Sequence, residues 1–106
     1  MKAIELNREQ FLNHLNAGKT ILVDYWAPWC SYCRRIGPAY EKIADQFSSK
    51  LLVAKVNIDD EPLLAHHENI EVIPTLVLYQ NGKAIASIVA PESKAAIESF
   101  IAENLG

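Results

Sequence analysis

Both cysteines of the chain lie in one stretch, WAPWCSYCRRIGP, covering residues 26–38. Cys30 and Cys33 are two residues apart, behind Trp26 and Trp29 and ahead of Arg34, Arg35 and Gly37-Pro38. Thiols so placed serve as a structural staple, as metal ligands or as a reactive dithiol. A staple closing this small a loop removes only about 2 kcal/mol of unfolded-chain entropy, before strain. A zinc site needs four ligands, and His14, His66 and His67 are the histidines left to join two cysteines. Neighbours such as His66 and His67 do not readily hold one ion together, and His14 lies far off in the chain. An iron–sulfur cluster shared between two chains and a pair of inert buried thiols are the other bland readings.

A dithiol fits the surroundings better. The pair stands where a β-rich run gives way to a helical pattern, so Cys30 falls at a helix start. Unpaired N–H groups and the helix dipole favour an anion there. Such a position with cationic neighbours lowers a thiol pKa from about 8.5 toward 7 or below, and the thiolate is the nucleophile. Arg34 and Arg35 supply charge one turn away. Cys33, a turn inside the helix, is placed to resolve a mixed disulfide formed at Cys30. The bulkier neighbours of Cys33 make Cys30 the expected exposed thiol.

The elements that must hold this pair read as follows. NREQFLNHLNAG predicts a short amphipathic helix capped by Asn7 with Gln10, with Phe11, Leu12 and Leu15 on one face and Gly18 as its stop. TILVDYWA predicts a strand buried on both faces. From Cys30 to Phe47 the apolar spacing is helical (Cys33, Ile36, Tyr40, Ile43, Ala44, Phe47), with Pro38 inside as a kink rather than an end. Tyr40 and Phe47 read as core. LLVAKVNID predicts a second buried strand, and residues 61–68 a short helix with Pro62 in its first turn and Asn69 as its left-handed stop. TLVLYQNGKAIASIV predicts a hairpin on a type I′ Asn81-Gly82 turn. Ser93 then caps a last helix with Ile97, Phe100, Ile101 and Leu105 inward. A leading helix followed by β-α-β-α-β-β-α gives an α/β fold, a central mixed sheet with helices on both faces, parallel in its first half and antiparallel in its second.

At 106 residues, the chain is a single domain, residues 1–106. A net charge of −3 gives no reason to expect nucleic acid or an anionic membrane as partner. The N-terminus lacks the apolar stretch of a secretory signal, and no run approaches the roughly 20 apolar residues of a membrane span. The expected location is the cytoplasm, where a close cysteine pair is more often catalytic or metal-bound than structural.

VDYWAPWCSYCRRIGP, VNIDDEP, VIPTLVLYQNGK and the closing helix resemble the thioredoxin family in order and spacing over nearly the whole chain. The resemblance implies a thioredoxin fold and protein disulfides as substrates. It implies no bound cofactor, an external reductant delivered through a flavoprotein disulfide reductase such as thioredoxin reductase, and a monomer. It assigns attack to Cys30, resolution to Cys33, a buried carboxylate to Asp24 and its nearby lysine to Lys55. Independently, an aspartate inside TILVDYWA is costly to bury ionised, so its pKa should rise and let it exchange a proton with Cys33. The resemblance also implies a cis-proline at Ile73-Pro74 opposite the dithiol, leaving the Ile73 backbone to pair with an extended substrate, and a groove flanked by Trp29 with Trp26 packed beneath.

The chain departs from the family pattern in three places. Ser31-Tyr32 stands where Gly-Pro is typical; glutaredoxins share the tyrosine, but after a proline and without the other landmarks. Losing the proline predicts a couple less reducing than that of thioredoxin. Ala90-Pro91 stands where Gly-Ala is usual on the groove's third wall, and Arg35 replaces an apolar residue at the rim. By position, the resemblance implies substrate contacts from Trp29, Ser31, Tyr32, Ile73, Pro74 and Ala90. The same dithiol could run as an oxidase or isomerase, and a rival from another class is a binding or chaperone module whose dithiol is idle.

Overall fold

Asn7 and Gln10 form the predicted box. The Asn7 side chain accepts from the Gln10 N–H while the Gln10 side chain accepts from the Asn7 N–H, opening helix α1 (Arg8–Asn16). The computed structural model describes residues 2–105. After α1 come β2 (Ile21–Trp26), α2 (Ser31–Gln46), β3 (Leu52–Asn57), α3 (Pro62–His67), β4 (Thr75–Gln80), β5 (Lys83–Val89) and α4 (Lys94–Leu105). One further strand, β1 (Ile4–Glu5), precedes them. The sequence does not predict it, because two residues carry no periodicity. It exists by parallel pairing with β3, which sets Ile4 beside Ala54 and Glu5 beside Lys55.

The strands lie in the order β1-β3-β2-β4-β5. β2 pairs parallel with β3, as the intervening α2 requires, and antiparallel with β4. β4 and β5 form the hairpin. Asn81 (φ 55°) and Gly82 (φ 79°) both take the left-handed region that a type I′ turn demands, and Asn69 (φ 61°) ends the α3 segment in the same way. Pro38 lies inside α2, and the helix runs on past it to Gln46.

Because β2 is central, both its faces are covered. Leu22, with Val53, Leu76 and Leu78, packs against Ile36, Tyr40 and Ile43 of α2 and Ile97, Phe100 and Ile101 of α4. Ile21, Val23 and Tyr25 face the other way, with Ala54, Val56 and Val77, onto Phe11 of α1 and Leu64 of α3. This two-sided burial accounts for the nearly unbroken apolar run TILVDYWA. Each large side chain so buried contributes about 1.5–3 kcal/mol. Phe47 is only partly buried, packed at the margin of the α2/α4 cluster. Strand alternation then fixes one further position: Asp24, two residues after Leu22, lies on the face that α2 covers.

Candidate active site

The junction between β2 and α2 carries the dithiol. Cys30 is the N-cap of α2, with extended backbone (φ −85°, ψ 107°), and the Cys33 N–H points at Cys30 Sγ from 3.2 Å. The two residues, 5.3 Å apart at Cα, are joined as a disulfide. Once that bond opens, an amide already aimed at Sγ is in place to stabilise a thiolate on Cys30. The expectation of an exposed Cys30 needs correction. It is the more exposed of the two, but at only 9% against 5% for Cys33, so neither residue stands clear of the surface. The reason is local packing: Ala27, Trp26, Tyr32, Ile58 and Ile73 gather around the pair. Among the described residues no group of three or more His, Cys, Asp and Glu side chains is placed to hold a metal ion.

The arginines do different work from each other. Arg34 Nη1 donates to the Pro28 carbonyl at 2.6 Å, bracing the loop before Cys30. Arg35 is exposed, its guanidinium 6.0 Å from the centre of the Tyr32 ring.

Beneath the helix, strand register lines up three charged residues. Glu5 is beside Lys55, and Lys55 is beside Asp24. Asp24 is 1% exposed, and its Oδ1 has no hydrogen-bond partner among the described residues. Burial pushes its pKa up to about 7; Lys55 opposes that rise, and the negative charges of Glu5 and Glu41 add to it. Lys55 extends its ammonium over the Trp26 ring, 4.3 Å from the centroid. Trp26 Nε1 in turn donates to both Glu5 carboxylate oxygens at 3.2 and 3.3 Å. Partial burial raises the Glu5 pKa, and this hydrogen bond and Lys55 pull it back. Tyr40, fully buried on α2, donates its hydroxyl to the carbonyls of Leu22 (3.2 Å) and Ala54 (2.6 Å), each one residue or two from the charged row. Glu5 was invisible to sequence reasoning, since its part in the site arises from a two-residue strand pairing.

Three loops frame the dithiol. The Ile73–Pro74 peptide is cis, as the resemblance implies, and Ile73 packs beside the cysteines. The Ala90 N–H donates to the Pro74 carbonyl at 2.8 Å, and Ala90 sits at φ 45°. Tyr32 donates its hydroxyl to the Pro91 carbonyl at 2.8 Å. Thr75 Oγ1 donates to the Val72 carbonyl, tightening the turn ahead of β4. Trp29 stands 65% exposed, its indole N–H on Asp59 Oδ1 at 3.1 Å. Ser31 is exposed on the first turn of α2. The structure thus gathers Cys30, Cys33, Tyr32 and Ile73 into one cluster, ties Pro74 to Ala90, and holds Lys55 next to Asp24. Trp29 instead leans outward to Asp59. Neither Asp59 nor the Tyr32–Pro91 bond carried a signal in the sequence, because both join segments distant along the chain.

Comparison with known proteins agrees with this arrangement. The thioredoxin family model matches residues 2–103. A thioredoxin of Chlorobaculum thiosulfatiphilum is 43% identical over 51 residues, 48% of this chain and 47% of that protein. A thioredoxin of Acidithiobacillus ferridurans is 50% identical over 48 residues, 45% of this chain and 44% of that protein. The chain spans about half the length of the curated relatives it matches. Among solved structures, a mutant thioredoxin from Halobacterium salinarum NRC-1 superposes with a TM-score of 0.87 at 24% identity, covering 99% of this chain and 92% of that one. At that identity the likeness speaks for the fold.

Proposed function

The chain belongs to the thioredoxin family, and from that premise we propose that it is a thiol–disulfide oxidoreductase acting on protein disulfides through Cys30 and Cys33. The observation that carries this reading is the disulfide at the N-cap of α2, with the Cys33 amide directed at Cys30 Sγ. In the reduced protein, the Cys30 thiolate attacks one sulfur of a substrate disulfide. The substrate S–S bond breaks, one substrate thiolate leaves and takes up a proton, and a mixed disulfide joins Cys30 to the substrate. Cys33 then loses its proton to the carboxylate of Asp24, and its thiolate attacks Cys30 Sγ. The mixed disulfide breaks, the second substrate thiolate leaves, and the Cys30–Cys33 bond forms. Two electrons pass to the substrate, whose two sulfurs leave as thiols.

Asp24 suits the proton's part because its pKa stands near 7, where it both takes and returns a proton at neutral pH. Lys55 tunes it. Ile73, Pro74, Trp29, Ser31 and Ala90 supply the surface on which an extended substrate lies. No cofactor is bound in the cycle. The disulfide is reopened by an external donor, a flavoprotein disulfide reductase of the thioredoxin reductase kind, in a reducing compartment such as the cytoplasm. No helix among the described residues is long and apolar enough to cross a membrane.

Insulin reduction driven by dithiothreitol tests the reading. The wild type should accelerate it. Cys30→Ser should fall to the uncatalysed rate, and Cys33→Ser should accumulate a mixed disulfide on Cys30. Identical behaviour of wild type and Cys30→Ser would mean an idle dithiol and a binding module instead. The direction of the couple follows from residues 31 and 32. Without a proline between the cysteines the turn is freer in the reduced state, and the couple should equilibrate with glutathione above the roughly −270 mV of thioredoxin. A value at or below that figure would defeat this part.

A further inference from the structure

We infer that Tyr32, fastened to the connection between β5 and α4, is a specificity-determining wall of the substrate groove, admitting extended disulfide-bearing chains with small residues beside the cysteine and rejecting bulky ones. The inference rests on the oxidoreductase reading above and adds to it which protein disulfides are accepted.

Tyr32 lies between the two cysteines and packs against the cluster they form with Ala27. The ring is half-buried and wedged between two apolar clusters, the one around the dithiol and the one between the sheet and α2/α4. Its far end is held as well: the hydroxyl donates to the carbonyl of Pro91, which is buried, across 59 residues of chain. A tyrosine has two side-chain torsions, and this one is restrained at the ring and at the hydroxyl. Swinging it aside costs the ring packing and a hydrogen bond worth about 0.5–1.5 kcal/mol. A free ring would yield to an incoming side chain; a pinned one does not.

The opposite end of the brace is also fixed. Ala90 precedes Pro91, holds φ 45°, and donates its N–H to the Pro74 carbonyl. The segments 30–33, 73–74 and 90–91 are therefore linked in series, Tyr32 to Pro91 and Ala90 to Pro74. Moving the wall disturbs the loop that faces the dithiol. Ala90 carries a methyl where a glycine would leave the backbone bare. A substrate strand laid beside residue 73 meets this wall next to its cysteine. A small flanking residue clears it, and a leucine or tryptophan does not. Discrimination of one to a few methylenes against a fixed surface amounts to about 10–200-fold.

The test uses two synthetic peptide disulfides of equal length, identical except that alanine or leucine flanks each cysteine. kcat and KM are measured with dithiothreitol as donor for wild type, Tyr32→Ala and Tyr32→Phe. Wild type should prefer the alanine peptide by about tenfold or more in kcat/KM, mostly through KM. Tyr32→Ala should reduce the preference to about threefold or less, by lowering KM for the leucine peptide. Tyr32→Phe, which keeps the ring and frees its end, should fall between them, and it serves alone if Tyr32→Ala does not fold. The wall is overturned if wild type shows no preference or if both variants keep the wild-type preference. Reduction of neither peptide by folded wild type would show that the oxidoreductase reading itself has failed, and the wall would fall with it.

Discussion

At the scale of single residues, the site turns on a carboxylate kept where water is not. Asp24 is buried, lacks a partner at Oδ1 among the described residues, and titrates near 7 rather than at its ordinary 3.8. The folded chain therefore holds this proton over a pH range in which the unfolded chain has released it. Its contribution to stability is intact below about pH 4, declines as pH rises, and levels off above about 7. The span corresponds to about 4 kcal/mol. Asp24→Asn should remove that decline. Urea unfolding of the disulfide form at pH 5 and pH 9 should show wild type losing stability between them and the variant losing about 2–3 kcal/mol less. Equal losses would mean that Asp24 is hydrated after all. Asp24 was legible in the sequence because a lone acid inside an apolar strand run is costly to bury and stands out against its neighbours, and the cysteine pair was legible by spacing. The contacts of Glu5 with Trp26, Asp59 with Trp29, and Tyr32 with Pro91 were not. Each joins residues whose nearness depends on strand register or loop path, and nothing in local residue type encodes that.

Among elements, α2 governs, since it carries Cys33, is capped by Cys30 and covers Asp24. Its hold on the sheet includes one polar anchor, the Tyr40 hydroxyl on the Leu22 and Ala54 carbonyls, bridging β2 and β3 beneath the helix. Tyr40→Phe keeps the ring and removes the donor from a fully buried place, at a cost of about 1–2 kcal/mol. The urea midpoint should fall with an unchanged m-value, the mark of lost stability without a change in compactness. An unshifted midpoint would show the anchor to be dispensable. Helix and strand boundaries were readable wherever a periodic run met a cap or a left-handed residue, as at Asn7, Asn69 and Asn81-Gly82. β1 escaped because its two residues become a strand only through β3. Ala90 is a different case. The sequence showed an alanine where the family has glycine, but not that the backbone would stay at φ 45°. A glycine there relieves the left-handed cost, roughly 1–2 kcal/mol, and gives back part of it as unfolded-state entropy. Ala90→Gly should therefore come out more stable by about 0.5–1 kcal/mol in the same urea assay, and a loss of stability would mean that the methyl packs usefully.

For the molecule as a whole, the dithiol sits apart from what keeps the chain folded. The two large clusters, one under α2 and α4 and one under α1 and α3, contain neither cysteine; Cys30 and Cys33 belong to a small third group at the sheet's end. Redox change at the site should therefore disturb the two large clusters little, as the cycle proposed above requires. Opening the disulfide releases only a four-residue loop, worth about 2 kcal/mol of unfolded-chain entropy, and the Cys33 amide then offsets part of that by stabilising the thiolate. The reduced protein should stay folded and lose at most about 2 kcal/mol, with the same m-value in urea. The same quantity has a second measure. Oxidised and reduced, folded and unfolded form a closed thermodynamic cycle, so the folded couple must lie more negative than the unfolded chain's by the same free energy, up to about 40 mV for two electrons. Unfolding both redox forms, and equilibrating the couple with glutathione with and without denaturant, should give one number twice. A reduced form more stable than the oxidised, or one that unfolds outright, would place the dithiol inside the folding core and overturn the separation between the site and its scaffold.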